Sequence, residues 1–446
     1  MLSNINVLNA LKAPSRAVEG RAYVYNTDGS TAYTFRHDDY LKEFTIERLG
    51  DNSKFFGFGV SHKANIKVLD KERELVLNTS NRIYPYFINR STGTTESIFT
   101  FPYMDITEVN RDENTNELSI TCYDRLYKAL AHKVEELPLT TPYTIKDFVS
   151  ACSELLGVSG VLLINISDEA FGLEYAEGAN FTGSESIREA LNMAAEITQT
   201  IYYIDKNNKL VFRRLDISGE AALTIRKDDY ITLESKTNRK LTTLVSATEL
   251  GDNLSVTTGE IGTTQYIRNN GFLDLREDRA TLLESALAVV GGFTLNQFIC
   301  NWRGNYLLEV GDKISLITKD DKEVYSYIFN DTITYNGTLS EVTEWEYAES
   351  EAEDADNPTS LGEALAHTFA KVDKANKQVT ILASEVSDKV EAITQLQLDT
   401  EEIKASVNRI DANTQDSIDG INSELETINK KVEATMTSEA VELKIQ

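Results

Sequence analysis

The sequence predicts a mainly β protein with one α+β module, followed by a C-terminal coiled coil. Three observations give this fold class. Alternating apolar and polar residues, separated by turn signals, dominate residues 1–138 and 217–347, as in half-buried strands. Residues 139–216 combine such runs with two amphipathic helices. Residues 361–446 repeat apolar residues in heptads and contain no aromatic residue after Phe369.

The first β unit, residues 1–138, is predicted to begin with a hairpin. Residues 21–36 ("RAYVYNTDGSTAYTFR") form two alternating runs around an Asp-Gly turn, which is a strong hairpin signal. Residues 64–70 and 73–78 continue the alternation of apolar and polar residues and are predicted to be strands. Residues 103–127 are predicted to form a second hairpin with a polar turn. The segment "KALAHKV" is predicted to close the unit as a helix.

The α+β module, residues 139–216, contains two predicted helices and a hairpin. The helix at 143–157 has one apolar stripe and a Thr-x-x-Asp capping signal, and Gly157 is placed to end it. The helix at 186–198 begins with a Ser-x-x-Glu capping box. It continues into the hairpin at 201–215, so the module is two helices over a small sheet.

The second β unit, residues 217–347, contains one predicted helix at 278–292. Three or four strands follow within residues 306–347. Their turns are predicted at Val310-Gly311-Asp312, Lys319-Asp320-Asp321-Lys322 and Asn336-Gly337. The similar size of the two β units suggests an internal duplication, although no clear repeat is visible at the level of residues.

Residues 348–360 are predicted to be an acidic linker, and residues 361–446 a rod. The rod carries two parallel apolar ladders, and one helix cannot bury them alone. β-Branched residues at both core positions favour three strands over two, and about 70 helical residues would extend roughly 105 Å. An antiparallel hairpin within one chain, turning near Gly420 or within residues 411–416, is the alternative. The residues predicted to form the trimer seam are Val372, Val379, Leu382, Val386, Ile393, Leu396, Ile403, Val407, Ile410, Ile421, Leu425 and Ile428.

The charge and hydropathy of the chain exclude several classes of partner. The 446 residues carry a net charge of −27, which argues against binding to nucleic acid or to anionic membranes. No apolar run approaches the roughly 18 residues that span a bilayer, so no membrane anchor is predicted. The first 16 residues lack the basic and apolar regions of a secretory signal, which predicts synthesis in a cytoplasm.

No catalytic, metal-binding or cofactor-binding residue is predicted, and the chain is not expected to be an enzyme. The sequence contains no GxGxxG, Walker loop, HExxH or GxSxG motif. Cys122, Cys152 and Cys300 are far apart and are predicted to be buried thiols. His37, which is followed by two aspartates, is interpreted as part of a polar turn rather than a metal ligand.

Three stretches, in their order along the chain, resemble one protein family. Residues 104–130 form a strand–turn–strand that ends in Tyr123-Asp124 before a helix. Residues 143–157 together with 186–215 form an α+β module, and residues 306–316 contain a Gly-Asp turn. This arrangement resembles the baseplate hub, or tail-associated lysin, family of long-tailed bacteriophages (the Tal-like tail-tip proteins).

The resemblance implies a structural virion protein at the tail tip, made in the host cytoplasm. Hubs of this family are homotrimers whose subunits each contribute two tube-like β domains, so that a pseudo-hexameric ring closes or continues the tail tube. The implied partners are the distal tail protein, the tape measure protein and downstream fibre or receptor-binding proteins, with DNA only in transit. Two alternatives remain open: a cell-wall hydrolase whose catalytic domain lies beyond Gln446, and the hub of a contractile injection device.

Overall fold

The structure, a computed structural model, is mainly β. It describes residues 11, 16–37, 39–90, 96–167, 171–175, 181, 185–247, 253–274 and 276–346. These residues include 24 β-strands and three α-helices of 11 or 12 residues each. The predicted linker and rod lie outside the described residues, so the coiled coil stays a prediction.

Eight strands belong to the first β unit. They are β1 (Val18–Tyr25), β2 (Thr31–Arg36), β3 (Leu41–Leu49), β4 (Phe58–Leu69), β5 (Arg82–Asn89), β6 (Glu96–Ile98), β7 (Met104–Asp112) and β8 (Glu117–Asp124). Both predicted hairpins are confirmed, since β1 pairs with β2 and β7 with β8 in antiparallel fashion. Their turns contain Gly29 at φ +83° and Asn116 at φ +56°, left-handed conformations that Gly and Asn tolerate best.

The predicted strand at residues 73–78 is wrong. These residues have no regular secondary structure, because the side chain of Asp70 takes up backbone donors that a strand would need. Its carboxylate accepts hydrogen bonds from the backbone N–H groups of Glu74 at 3.0 Å and Leu75 at 3.2 Å. Arg111 pairs with the same carboxylate at 2.6 Å. A local side chain therefore overrides the alternating pattern.

The α+β module follows the first unit. Its strands are β9 (Tyr143–Thr144), β10 (Val161–Ile164), β11 (Glu174–Tyr175), β12 (Ile201–Ile204) and β13 (Leu210–Arg213), and its helices are α1 (Ile145–Leu155) and α2 (Ile187–Ile197). The predicted helix at 128–134 is corrected to two 3-10 helices, Arg125–Leu130 and Val134–Glu136. Lys133 separates them, because its backbone is extended and forms a β-bridge with Ser186.

Both predicted capping boxes are confirmed. At the start of α1, Asp147 accepts from the Thr144 backbone N–H at 3.0 Å, while the Thr144 hydroxyl accepts from the Asp147 N–H at 3.1 Å. At the start of α2, Ser186 and Glu189 make the same two bonds at 2.9 and 3.2 Å. Each box satisfies backbone donors that would otherwise lack a partner at a helix start.

The second β unit contains α3 (Arg279–Val290), as predicted. Its strands are β14 (Leu223–Ile225), β15 (Tyr230–Ser235), β16 (Arg239–Ala247), β17 (Asn253–Thr257), β18 (Thr263–Arg268), β19 (Thr294–Leu295), β20 (Phe298–Trp302), β21 (Lys313–Ile317), β22 (Glu323–Tyr327), β23 (Asn330–Tyr335) and β24 (Leu339–Trp345). The three predicted turns are present, with Gly311, Asp321 and Gly337 in left-handed conformations.

One large sheet runs through both β units. Its strand order is β15-β20-β24-β23-β3-β4-β8-β7-β5-β1-β2, so β3 of the first unit pairs directly with β23 of the second. The long strand β4 also pairs in parallel with β12 of the module. The division into residues 1–138, 139–216 and 217–347 stays a prediction. Strand pairing joins the first of these units to each of the other two.

The described residues bury three hydrophobic cores, one centred on each predicted unit. Side chains also cross between units: Phe55 and Phe58 pack into the core of the second unit, and Tyr306 packs into the core of the first. Each core contains one cysteine, and all three thiols are free and buried, as predicted. The shared cores and the continuous sheet therefore hold the three units together.

Candidate functional site

The residues predicted to form the trimer seam all lie outside the described part of the chain. The structure therefore brings none of them together, and the seam stays a prediction. Within the described residues, the most unusual chemistry lies at the junction of the two β units, where β3 meets β23. This junction is not predicted by the motifs of the sequence.

A buried ion pair crosses the junction between β3 and β23. Arg48 and Asp331 are directly opposite in the antiparallel pairing, and Arg48 Nε lies 2.7 Å from Asp331 Oδ1. The two side chains are 2 % and 0 % exposed. Arg48 Nη1 also donates to the backbone carbonyl of Leu308 at 2.6 Å. An ion pair this deeply buried resists separation, because either charge left alone would be costly in the interior.

A second buried carboxyl group, Glu341, lies beside this ion pair. It projects from β24 on the same face as Thr343, which is paired with Asp331. Its oxygens accept from the Asn305 backbone N–H and from the Thr343 hydroxyl, each at 2.8 Å. Burial and the nearby Asp331 carboxylate raise the pKa of Glu341 to about 8. Arg48 thus neutralises one carboxylate, while the other carboxyl group keeps its proton at neutral pH.

The Tyr123-Asp124 pair of the sequence motif has a structural role. Asp124 is fully buried and begins the 3-10 helix Arg125–Leu130, where Oδ1 accepts from the Leu126 N–H at 3.0 Å. Its Oδ2 accepts from the backbone N–H of His62 at 2.7 Å and lies 2.8 Å from the His62 ring nitrogen Nδ1. Asp124 therefore ties the end of β8 to β4 and to the 3-10 helix that follows β8.

The Gly311-Asp312 turn of the third stretch attaches the module to the second β unit. Arg213 at the end of β13 donates to the Val310 carbonyl at 2.7 Å and pairs with Asp312 at 2.9 Å. Gly311 has φ +79°, and a Cβ atom there would lie 2.9 Å from Ile201 Cδ1. Glycine is required at this turn both by its backbone conformation and by the close approach of β12.

The described residues offer no recognisable catalytic or metal centre. No group of three or more His, Cys, Asp or Glu residues among them is arranged to hold a metal ion. His37 packs edge-on against the ring of Tyr335, with ring centroids 5.6 Å apart. Burial raises the pKa of Cys300 to about 12, and it raises the pKa of the other two thiols as well. Such thiols are poor nucleophiles.

None of the helices in the described ranges is long and apolar enough to cross a bilayer.

The inward-facing charges at the junction could have been found from the sequence. Arg48, Asp331 and Glu341 each lie on the core-facing side of an alternating strand. The same sides of these strands carry the apolar residues Ile46, Ile333 and Leu339. A charged residue on a core-facing side predicts a buried polar partner, because an unpaired buried charge is strongly unfavourable. The sequence does not show which strands supply that partner.

Comparison with known proteins gives distant structural similarities. No protein family matches the sequence, and no curated protein is similar to it. A tail protein from Neisseria meningitidis MC58 has 11% identity and a TM-score of 0.47, covering 73% of this chain and 96% of that one. The 43 kDa tail protein of prophage MuSo2 from Shewanella oneidensis has 10% identity and a TM-score of 0.45, with 74% and 98% covered. Prophage tail protein gp18 from Listeria monocytogenes EGD-e has 13% identity and a TM-score of 0.45, with 79% and 99% covered.

Proposed function

We propose that the protein is a structural, non-enzymatic component of a phage tail, acting as the trimeric hub at the tail tip. The observation that carries this proposal is the junction of β3 with β23. A continuous sheet, a buried ion pair and shared cores fix two β units in one subunit. Three such subunits would present six β units around one axis. The order of the three sequence motifs supports the same assignment.

The proposed threefold symmetry depends on the rod at residues 361–446. Its twelve seam residues need two further copies of the chain to cover them. The proposed partners are the distal tail protein, the tape measure protein and downstream fibre or receptor-binding proteins. DNA would pass through the ring only in transit, and acidic walls would suit this passage because like charges do not adhere.

The mass of the protein in solution tests this proposal. We expect a trimer for the full chain and a weaker trimer or a monomer for a chain lacking residues 358–446. Within the full chain, Ile403→Lys places a charge in the seam, whereas Ala405→Lys places the same charge two residues away and outside both ladders. The first substitution should weaken the trimer and the second should not. A monomeric full chain at micromolar concentration would contradict the proposal.

Class averages of the full chain in electron micrographs give a second test. Three subunits with two β units each should appear as a ring with six lobes. A ring with three lobes would mean that the two units of a subunit do not occupy equivalent positions, and this would refute the pseudo-hexameric arrangement.

A further inference from the structure

A cavity of about 350 Å³ lies where the α+β module and the second β unit meet Phe55 and Phe56 of the first unit. One wall is apolar and includes Phe55, Phe56, Val290 and Phe293. The cavity opens to solvent near Val289, which is 41 % exposed. Its volume is at the lower end of the range for ligand pockets, enough for one or two residues of a peptide.

The cation in the lining of this cavity is the guanidinium of Arg214. It is half-buried, and Nη2 donates to the Thr198 carbonyl and to Gln199 Oε1, each at 2.9 Å. Its Nε atom is buried and has no hydrogen-bond partner within the part of the chain that the structure describes. Burial lowers the pKa of Arg214, and no neighbouring charge opposes this effect. Among the described residues, no carboxylate forms an ion pair with it.

The neighbouring Arg213 shows how unusual this is. Arg213 pairs with Asp312 at 2.9 Å, and the chain contains 71 acidic residues against 44 basic ones. Acidic residues are therefore abundant, yet none in the described ranges forms an ion pair with Arg214. Asp216 also lines the cavity, but its carboxylate accepts a bond from the Gly219 backbone N–H at 2.7 Å, within its own loop. The guanidinium is thus available to an anion from outside the chain.

The backbone beside Arg214 is held in an uncommon conformation. Asn165 and Gln199 both line the cavity, with φ of +57° and +49°. A left-handed conformation costs roughly 1 kcal/mol or more for a residue such as Gln, and such outliers cluster at binding sites. Each side chain ends in an amide NH2 group with two hydrogens. Gln199 Nε2 donates one of them to the Ile197 carbonyl at 2.5 Å, and Asn165 Nδ2 donates one to the Arg214 carbonyl at 3.4 Å, which leaves one hydrogen on each for a carboxylate or the peptide group beside it.

We propose that this cavity binds the C-terminal residue of a partner polypeptide. The terminal carboxylate would pair with Arg214, and an apolar side chain would fill the part lined by the phenylalanines. The apolar wall is complementary to an apolar side chain. The cation, which has no ion-pair partner among the described residues, and the two amides are complementary to a carboxylate. This proposal does not depend on the hub assignment, since it rests on the cavity alone.

Calorimetric titration of the full chain tests the proposal with three probes. These are the peptide acetyl-Ala-Ala-Phe with a free C-terminus, the same peptide as its carboxamide, and decanoate. We expect the free acid to bind at least about tenfold more tightly than the amide, because a charge-assisted bond is lost. Decanoate should bind more weakly than the free acid, since it lacks the peptide group.

Two variants and one control assign the binding to this cavity. Arg214→Gln should weaken binding of the free acid at least about tenfold. Val289→Trp should block the mouth while leaving Arg214 in place. Arg82→Gln removes an exposed arginine elsewhere and should change nothing. Thermal unfolding of each variant verifies that it is folded, and the two cavity variants provide independent tests.

Several results would overturn the proposal. Equal binding of the acid and the amide would exclude recognition of the carboxylate, and unchanged binding by folded Arg214→Gln would exclude this cation. Decanoate binding as tightly as the peptide would assign the site to free aliphatic carboxylates instead. The absence of binding by all three probes at millimolar concentration would exclude a carboxylate site here.

Discussion

The ion pair between Arg48 and Asp331 allows the junction of the two β units to be tested quantitatively. Replacing Arg48 by Met keeps the apolar stem and removes the charge. Asp331 would then be buried without a counter-ion, so it must take up a proton. Protonating a carboxyl group whose unfolded-state pKa is near 3.9 costs about 4 kcal/mol at pH 7, at 1.36 kcal/mol per pH unit. Burial raises the pKa of Asp331 even beside Arg48, so this figure is an upper value for the substitution. This agrees with the roughly 3–5 kcal/mol expected for breaking a buried pair.

The size of this effect should depend on pH. The cost of protonating Asp331 falls as the solution becomes more acidic, to about 1.5 kcal/mol at pH 5. The difference in unfolding free energy between wild type and Arg48→Met should therefore be at most about 4 kcal/mol at pH 7 and should shrink towards pH 5. Urea unfolding of the full chain, at one fixed subunit concentration, measures both values.

A double variant and an exposed pair serve as controls. Adding Asp331→Asn to Arg48→Met removes both charges, so most of the lost stability should return, apart from about 1 kcal/mol for the lost bond to the Leu308 carbonyl. Arg73→Met breaks a pair with Glu113 of similar length, 2.8 Å, but with both side chains exposed, and should cost less than about 1 kcal/mol. A loss below 1 kcal/mol for Arg48→Met, or no recovery in the double variant, would show that this ion pair does not stabilise the junction.

Two further predictions concern Glu341 and Gly311. Because its folded-state pKa of about 8 lies above the unfolded value, Glu341 contributes stability that is fully present below about pH 4.5 and is lost as the pH rises through 8. Glu341→Gln should flatten this part of the curve of unfolding free energy against pH, and an unchanged slope would contradict the assignment of the proton. Gly311→Ala should lower the urea midpoint more than Gly29→Ala does, because both glycines have positive φ but only Gly311 has a neighbour within 4 Å of the added Cβ. Equal midpoints for the two variants would mean that close packing at Gly311 is unimportant.

Local signals in the sequence predicted the local structure well. The capping boxes of α1 and α2 and the turns at Gly311 and Gly337 depend on residues within a few positions of one another, and all are present. The error at residues 73–78 also has a local cause, because the nearby Asp70 carboxylate binds two backbone N–H groups of this segment. The alternation of apolar and polar residues does not reveal these bonds.

The junction of the two β units could not be predicted from the sequence. The pairing of β3 with β23 joins segments roughly 280 residues apart, and period-two patterns do not identify a strand's neighbour. The inward charges at Arg48 and Glu341 signal a polar contact without specifying its partner. The seam of the rod stays a prediction from its heptads.

The pairing of β3 with β23 also affects the order of events during synthesis on the ribosome. When β3 emerges, its eventual neighbour has not yet been translated. At about 5–20 residues per second, that neighbour arrives roughly 15–60 s later, so one edge of the nascent sheet stays open meanwhile. An open edge invites pairing with other chains. Lys42, Glu43 and Glu47 on β3 place charges along that edge, and they would discourage aggregation of the growing polypeptide until β23 arrives.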